Sequence, residues 1–420
     1  MGAKLMSKVF VKTFGCRTNI VDSELIKAHL DKSLSSDEAS ADTIIINACT
    51  VTNGADSDVR NYVNRMSALG KKVLFTGCGF ESRGRELMEA GKVFGVFSPA
   101  KKAEIKELIS RNSRFFENGS SDFVENHVIS GFSKHSKGFV KIQEGCDFSC
   151  SYCIIPSVRG KSRSMSEEFI ITQAKELIAN GYTELVLTGT NIGSYGKDSG
   201  SSLGLLLQKL GALNGLKRIR LGSIEPSQID NSFKECFGES WLERHLHIAL
   251  QHTSQAMLNI MRRANKAHKD KELFLSLADM GFALGTDFIV AHPGESEQIW
   301  NEGLEAFKAL PITHLHAFIY SKRDGTRSAN MSEPIPNAKL AKERLNTLKQ
   351  IASEHNLEFR KKKQKLDVFC EQKGKDGLYH GFDQFYNKIA IESNTDITKQ
   401  WLEIDDYEIR PESNFAKINR

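Results

Sequence analysis

Short apolar strands alternate with helical stretches in two long parts of this 420-residue chain. In the first part, helices are expected near residues 21–30, 56–69 and 82–90, and the strand candidates are KVFVKTF, DTIIINA, KKVLFTG and KVFGVF. In the second part, from 138 to about 320, they are GFVKIQ, ELVLTG, KRIRLG, LHIAL, ALGTDFIV and THLHAFIY. Such alternation predicts parallel sheets covered by helices. Repeated βα units can also close into a full or partial barrel.

The remaining segments predict a linker and a third, smaller unit. Residues 111–137 are polar and rich in Ser and Asn, which is typical of a linker. After a helix near 338–354, the segments LDVFCEQ, GLYHGF, NKIAIES and KQWLEIDDYEI are typical of a small antiparallel barrel or sheet. We therefore expect an α/β protein of three domains. They are an N-terminal parallel α/β sandwich (1–115), a central partial (βα)6 barrel (132–358) and a small C-terminal β-barrel (366–420).

The composition narrows the class of protein. The net charge of +5 is compatible with a nucleic-acid partner. The sequence has no apolar run near the roughly 20 residues that span a bilayer and no signal peptide, so we expect no membrane partner and a cytoplasmic location. Because that compartment keeps thiols reduced, the eight cysteines are expected to bind metal or do chemistry.

Three cysteines have the spacing C-x3-C-x2-C directly after a strand, in KIQEGCDFSCSYCIIP. Thiolates are soft ligands that suit zinc or an iron–sulfur cluster. A structural zinc ion would normally have a fourth ligand nearby, and the next residues, IIPSVRGKSRSM, contain neither Cys nor His. Cys146, Cys150 and Cys153 therefore predict a four-iron cluster with one iron left free to bind a small molecule. A zinc knuckle is the alternative.

A second trio, Cys16, Cys49 and Cys78, is spread along the first part of the chain. Each cysteine follows a predicted strand and precedes a helix, and parallel strands all end at the same edge of a sheet. If the three strands are close in the sheet, the trio predicts a second cluster. The alternative is packing near strand ends, since Cys is often buried. Cys236 and Cys370 have no cysteine neighbours, and we expect both to be structural.

A family resemblance covers nearly the whole chain. It runs from TFGCRTN, NACTVTNGAD and TGCGF through the C-x3-C-x2-C loop, and continues in LTGTNIGSYG, RLGSIEP, LHIALQHTSQAMLNIMRR and TDFIVAHPGESE. In this order, these segments resemble the methylthiotransferase family of radical S-adenosylmethionine (SAM) enzymes. CTVT followed by AD, with SIEP, is similar to the branch that acts on N6-threonylcarbamoyladenosine (t6A) at tRNA position 37, the MtaB type.

The resemblance implies cofactors and site residues. It implies an auxiliary 4Fe-4S cluster on Cys16, Cys49 and Cys78, and a SAM-cleaving 4Fe-4S cluster on Cys146, Cys150 and Cys153 as the catalytic centre. Three residues would contact SAM. Tyr152 would pack on its adenine, Asn191 would lie near its amino group, and Glu225 would accept hydrogen bonds from its ribose hydroxyls. The C-terminal unit would be a TRAM domain that grips tRNA. QHTSQ and AHPGE depart from the usual motifs, and His252 and His292 receive no role.

The function implied is insertion of a methylthio group at C2 of t6A in the tRNA anticodon loop. One SAM would methylate an activated sulfur at the auxiliary cluster, and a second would yield the radical that takes hydrogen from C2. An electron donor such as a flavodoxin or ferredoxin and a sulfur source are expected partners. The alternatives are isopentenyladenosine in tRNA, a ribosomal-protein aspartate, and a non-catalytic iron–sulfur or zinc protein that binds RNA.

Basic side chains near the cluster loop and ahead of the third domain are candidates for RNA contacts. Arg159, Lys161 and Arg163 would bind RNA phosphates or the SAM carboxylate, or form a solvated face. The run from 360 to 365 lies just before the C-terminal unit and is a candidate phosphate contact.

Overall fold

The structure is a computed structural model, and it describes residues 8–30, 34–35, 37–49, 53–119, 127–133 and 135–418. Parts of the expected features lie outside these residues: the N-terminal 1–7, the TVT of the NACTVT motif, and 120–126 of the polar segment. Within the described part of the chain, no helix is both long and apolar enough to cross a bilayer.

The first unit is a five-stranded parallel sheet, and its strands follow one another in chain order. Its elements are β1 (Val9–Thr13), α1 (Arg17–Leu30), β2 (Thr43–Ala48), α2 (Asn53–Ala68), β3 (Lys72–Gly77), α3 (Ser82–Glu89), β4 (Gly95–Phe97), α4 (Ile105–Ser110) and β5 (Phe115–Glu117). Every residue of β2 is buried. Ile44 and Ile46 pack into one apolar core and Ile45 into another, because successive side chains point to opposite faces. The sheet is therefore covered on both sides.

The segment expected to be a linker contributes to both neighbouring units, which corrects that expectation. It contains β5, and its later residues Ile129 and Phe132 are buried in the core of the barrel. The side chain of Gln173 holds it by accepting from the Ile129 N–H (2.8 Å) and donating to its carbonyl (2.7 Å). The polar composition of this segment predicted a loop. The prediction failed because a side-chain amide can satisfy the backbone groups of a buried segment, and such pairing leaves no apolar pattern in the sequence.

The second unit is a partial barrel. Its elements are β6 (Gly138–Glu144), α5 (Ile155–Arg159), β7 (Arg163–Ser164), α6 (Glu167–Ala179), β8 (Glu184–Gly189), α7 (Leu203–Gly211), β9 (Arg218–Leu221), α8 (Asn231–Lys234), β10 (His245–His247), α9 (Gln255–Ile260), α10 (Ala267–Asp279), β11 (Ala283–Val290), α11 (Glu297–Lys308), β12 (Ile312–Ile319) and α12 (Ala338–Lys361). The strands form two sheets, β7-β6-β8-β9 and β10-β11-β12. The isolated bridges Ile219–Leu242 and Ile224–Ile248 connect them. All six predicted strands are present, and β7 is additional.

The third unit is a curled six-stranded sheet in the order β16-β13-β14-β15-β18-β17. Its strands are β13 (Leu366–Lys373), β14 (Tyr379–Phe382), β15 (Lys388–Ser393), β16 (Trp401–Ile404), β17 (Glu408–Ile409) and β18 (Asn414–Ile418). It is mixed rather than purely antiparallel, because β15 and β18 pair in parallel. The three-unit α/β architecture agrees with the prediction from sequence, whereas the residues at which one domain ends and the next begins stay predictions.

The residues of the basic run from 360 to 365 differ in their exposure to solvent, because the run spans the end of α12. Arg360 is buried, and its guanidinium donates to the carbonyls of Arg410 and Pro411 (both 2.7 Å). It therefore fixes the helix to the C-terminal sheet and does not face solvent. Lys363 follows the helix end with φ of 45° and donates its N–H to the carbonyl of Arg360 (3.1 Å). This left-handed position after a helix is the one that usually holds glycine.

Two substitutions on this run are expected to have opposite effects. Lys363→Gly should raise the free energy of unfolding by about 0.5–1 kcal/mol, because glycine adopts positive φ without steric cost. Lys361→Gly, inside the last turn of α12, should lower it by about 1 kcal/mol. Urea denaturation of both variants measures the difference. Equal signs would contradict the assignment of Lys363 as the helix cap.

Candidate active site

The loop after β6 carries Cys146, Cys150 and Cys153 close together. The Cys153 N–H donates to the carbonyl of Cys150 (3.2 Å), and the Cys146 N–H donates to that of Gly160 (3.1 Å). Gly145 opens the loop with φ of 77°, and a Cβ there would collide with the carbonyl of Lys161. The chain can therefore fold back over the three thiols only because residue 145 is glycine.

Two side chains donate to the sulfurs of this loop. Asn191, in the loop after β8, lies with Nδ2 3.7 Å from the Cys146 Sγ. Arg263 lies with Nη1 3.6 Å from the Cys150 Sγ, and the same guanidinium binds both carboxylate oxygens of Glu225 (2.8 and 2.5 Å). Arg263 could not be predicted from the sequence, because an arginine after a short helix gives no spacing signal.

The protonation chemistry of the loop suits metal binding. Burial, together with the neighbouring Cys150 and Cys146, raises the pKa of the Cys153 thiol to about 12. Burial also raises the pKa of Cys146. Thiols this close together do not all ionise without a cation, and metal ions bind thiolates by displacing their protons. Three clustered sulfurs with N–H donors directed at them fit a 4Fe-4S cluster.

Tyr152, in the same loop, packs against an apolar cluster formed by Met257, Met261 and Ile289. With Cys153 it lines a cavity of about 280 Å³, which Gln251 also lines. This places an aromatic ring in the cysteine loop, next to a cavity. The roles of Tyr152, Asn191 and Glu225 in SAM binding stay predictions.

The second trio converges at the carboxyl edge of the first sheet. Strands β1, β2 and β3 are adjacent and parallel, and Cys16, Cys49 and Cys78 follow them in that order. A Cβ on Gly15, which has φ of 112°, would collide with Cys49. The Cys78 thiol is close enough to Cys16 that a charge there raises its pKa, after the larger effect of burial.

Asn19 and Arg159 surround the sulfur of Cys78. The Asn19 Oδ1 lies 4.0 Å from this sulfur, and Arg159 donates to it through Nε (3.4 Å) and Nη2 (3.3 Å). A set of three thiols with N–H donors again fits a cluster with three protein ligands. That these six cysteines are the ligands remains a proposal.

Arg159 is the centre of a buried ionic cluster between the first two units. It donates to Asp22 on α1 (2.9 Å) and to Glu144 at the end of β6 (2.5 Å), while Lys141 bridges the same two carboxylates (2.7 and 3.0 Å). Burial alone would raise the pKa of Glu144, but the charges of Lys141 and Arg159 hold it at about 2. Arg159 therefore does not face RNA, which corrects one of the interpretations made from the sequence.

Arg159→Met should lower the free energy of unfolding by about 3–5 kcal/mol, because it leaves two buried carboxylates short of one cation. Since the carboxylates have depressed pKa values in the folded protein, their stabilisation is present above the unfolded pKa and is lost as the pH falls toward 2. Denaturant unfolding at pH 7 and pH 4 measures both effects.

The control for this substitution is Arg65→Met, which removes an exposed pair with Glu38. It should cost less than about 1 kcal/mol. An equal effect of the two substitutions would mean that the buried cluster is not stabilising.

A cavity of about 400 Å³ separates the first sheet from the barrel. Cys16 and Arg17 line it from the first unit, and Tyr386 lines it from the C-terminal unit. The barrel contributes Arg220, Glu243, His245, His247, His314 and His316. The histidines alternate with leucines in HLH on β10 and on β12, and this period of two was a sequence signal for a shared face. These histidines were not among the site residues predicted from the sequence.

The two histidines left without a role are both buried. His292 lies with Nδ1 2.8 Å from the carbonyl of Pro293 and Nε2 2.7 Å from the Ser328 hydroxyl, and burial lowers its pKa to about 4. His252 packs on Phe288 and lies 3.3 Å from Glu295. These contacts hold loops of the barrel together. Cys236 and Cys370 are buried too, as expected.

Comparison with known proteins agrees with this architecture. Residues 140–305 match the profile of the radical SAM superfamily, and residues 8–98 match that of the "Uncharacterized protein family UPF0004". Among solved structures, the radical SAM methyltransferase TsrM from Kitasatospora setae shares the fold, with a TM-score of 0.56, 14% identity and 77% of each chain covered. The barrel and its C-x3-C-x2-C loop define this chain as a radical SAM enzyme.

Curated relatives narrow the class. A Helicobacter pylori protein (strain 26695) with the provisional name methylthiotransferase is 46% identical over 98% of this chain and 100% of its own length. The threonylcarbamoyladenosine tRNA methylthiotransferase MtaB of Aquifex aeolicus is 31% identical over 94% of this chain and 96% of its own length. The ribosomal protein uS12 methylthiotransferase RimO of Campylobacter jejuni is 32% identical over 89% and 87%.

The chain belongs to the radical SAM methylthiotransferase family, and its resemblance is to the MtaB-type branch. It is an enzyme that transfers a sulfur-containing group, and its cofactors are SAM and 4Fe-4S clusters. The non-catalytic alternative is therefore set aside.

Proposed function

We propose that this enzyme inserts a methylthio group at C2 of t6A at position 37 of tRNA. Relatives of the family carry names for tRNA substrates and for a ribosomal protein, so membership alone leaves the substrate open. The observation that carries the proposal is the position of Arg17. Arg17 lines the 400 Å³ cavity together with Cys16, and its guanidinium donates to the Tyr386 hydroxyl (3.1 Å).

Arg17 has the properties of an anion anchor. Among the described residues it has no carboxylate within ion-pair distance, whereas Arg220, on the same cavity, binds both Glu184 (2.9 Å) and Glu243 (3.0 Å). The threonylcarbamoyl group of t6A ends in a carboxylate, which a guanidinium binds well. An isopentenyl group has no charge and would need an apolar wall. Cations and histidines on this wall thus support t6A over isopentenyladenosine.

The surroundings of Arg17 support an RNA substrate over a protein aspartate, which is also an anion. Tyr386 stacks on Phe382 with ring centroids 4.8 Å apart, and both rings line a second cavity of about 660 Å³. Lys137 lies 4.6 Å from the Phe382 ring in the same cavity. It also pairs with Glu371 (2.5 Å) and Glu184 (3.3 Å), so only part of its charge is available to a ligand. Stacked aromatic rings with nearby cations are the usual means of holding unpaired RNA bases.

In this proposal, each residue binds or orients a group. Cys146, Cys150 and Cys153 would hold the cluster that supplies an electron to SAM, and Tyr152 would pack on its adenine. Asn191 and Glu225 would orient SAM, and Arg263 fixes the Glu225 carboxylate in place. Because Cys16 and Arg17 line the same cavity, a substrate anchored at Arg17 would lie near the auxiliary trio, which would hold the sulfur donor.

Other partners and the location of the enzyme stay predictions. The auxiliary sulfur source, an electron donor such as a flavodoxin or ferredoxin, and a cytoplasmic location belong to the proposal and follow from the expected tRNA chemistry.

The direct test compares three substrates under anaerobic conditions with the cluster-loaded enzyme. These are anticodon stem-loops with t6A, the same RNAs with isopentenyladenosine, and ribosomes. Mass spectrometry of nucleosides and of ribosomal proteins should find 2-methylthio-t6A as the main product. Preferred modification of either other substrate would overturn the proposal.

Arg17→Leu should raise the KM for t6A RNA about 10- to 100-fold, because a hydrogen bond to a charged group contributes about 1.5–3 kcal/mol. Arg17→Lys keeps the charge and should restore much of the binding. The KM for isopentenyladenosine RNA should not rise in either variant. Iron content and RNA-free SAM cleavage serve as controls for the clusters. An unchanged KM in Arg17→Leu would remove Arg17 as the anchor.

A further inference from the structure

Three potential metal ligands lie next to one another on the inner wall of the barrel. His247, Asp287 and His316 come from the adjacent parallel strands β10, β11 and β12, and Asp287 is directly opposite His316 in the register. One nitrogen or oxygen of each lies within 4.8 Å of those of the other two. The His247 Nε2 is 3.1 Å and the His316 Nδ1 3.6 Å from the same Asp287 oxygen, Oδ1. Two imidazoles and one carboxylate therefore converge on one point.

Hydrogen bonds account for this arrangement only in part. His247 is buried, and its Nε2 has no hydrogen-bond partner of good geometry, although the Asp287 Oδ1 is 3.1 Å away. The Ser223 hydroxyl lies 3.4 Å from the other oxygen of Asp287, so Oδ1 is the oxygen that both imidazoles approach. Buried polar atoms are rarely left unpaired. A bound cation would satisfy the nitrogen and the oxygen together.

The packing around His247 leaves space for its imidazole ring. His247 lies opposite Gly285 in the register, and a Cβ at Gly285 would be 2.6 Å from the His247 Nδ1. Any other residue at 285 would push the imidazole out of its place. The glycine in β11 is thus matched to the histidine in β10.

We propose that His247, Asp287 and His316 bind one divalent transition-metal ion such as Zn²⁺, separate from the cysteine sites. Two nitrogens and one oxygen suit transition metals, whereas Mg²⁺ and Ca²⁺ prefer oxygen ligands alone. Ligand atoms about 2.1 Å from an ion are at most about 4.2 Å apart, so the trio needs only a small adjustment. The His316 side chain is 63% exposed and can supply it.

Three protein ligands leave at least one position of the ion open. Two of the three ligands, His247 and His316, line the cavity that Cys16 and Arg17 also line. An oxygen of the threonylcarbamoyl group, such as its hydroxyl, would fit there while Arg17 binds the carboxylate. This last step rests on the proposed function, whereas the metal site itself does not.

The test measures zinc binding by the cluster-loaded enzyme without RNA. Isothermal titration with Zn²⁺ under anaerobic conditions, followed by zinc and iron analysis after gel filtration, should find one zinc per chain and no loss of iron. His316→Ala removes an exposed ligand and should keep the fold while weakening zinc binding on the order of 100-fold. Asp287→Asn should have a similar effect.

The matched control is His380→Ala. His380 pairs with Asp376 on the exposed face of the C-terminal sheet, and it should leave zinc binding unchanged. Zinc binding that is retained in His316→Ala, absent from the wild type, or accompanied by an equal loss of iron would overturn the proposal. Because RNA is not used, any of these results leaves the t6A assignment to be judged by its own assay.

Discussion

The buried guanidinium of Arg159 joins the two halves of this active site. It binds Asp22 on the helix of the first sheet, Glu144 on the barrel and the sulfur of Cys78. A cation without water needs several acceptors, and these come from both units. The contact therefore fixes α1 against β6. As a result, the cysteine edge of the first sheet faces the open end of the barrel across one cavity.

The arginine also places the two cysteine trios in one structural context. Arg159 ends the short helix α5, only six residues after Cys153, and it donates to Cys78 of the other trio. N–H donors to sulfur are one of the means by which proteins tune iron–sulfur clusters. A single side chain thus connects the loop of one proposed cluster to the sulfur of the other. The contact also holds the segment after Cys153 against the cysteine edge of the first sheet.

The polar side chains that line the cavity between the units come from parts of the chain that are far apart in the sequence. Arg17 comes from the start of α1, His247 from β10 and Tyr386 from the C-terminal sheet. Tyr386 has φ of 65°, an unusual value for a bulky residue, and its ring stacks with His245 at 5.2 Å. The C-terminal unit therefore contributes a wall of the cavity, in addition to the RNA contacts that we propose for it. The substrate is expected to meet residues of all three units.

The sequence by itself determined the α/β class, the barrel strands and the two cysteine trios as candidates, because strand periodicity and cysteine spacing are local patterns. Cys146, Cys150 and Cys153 could be recognised as a candidate ligand set because they lie within a few positions of one another in the chain. Only the tertiary structure decided that β1, β2 and β3 are adjacent, which brings Cys16, Cys49 and Cys78 together. It also decided that Arg159 is buried, and that among the described residues no carboxylate lies within ion-pair distance of Arg17. The physical reason is that burial and charge pairing depend on residues that are far apart in the chain, whereas periodicity does not.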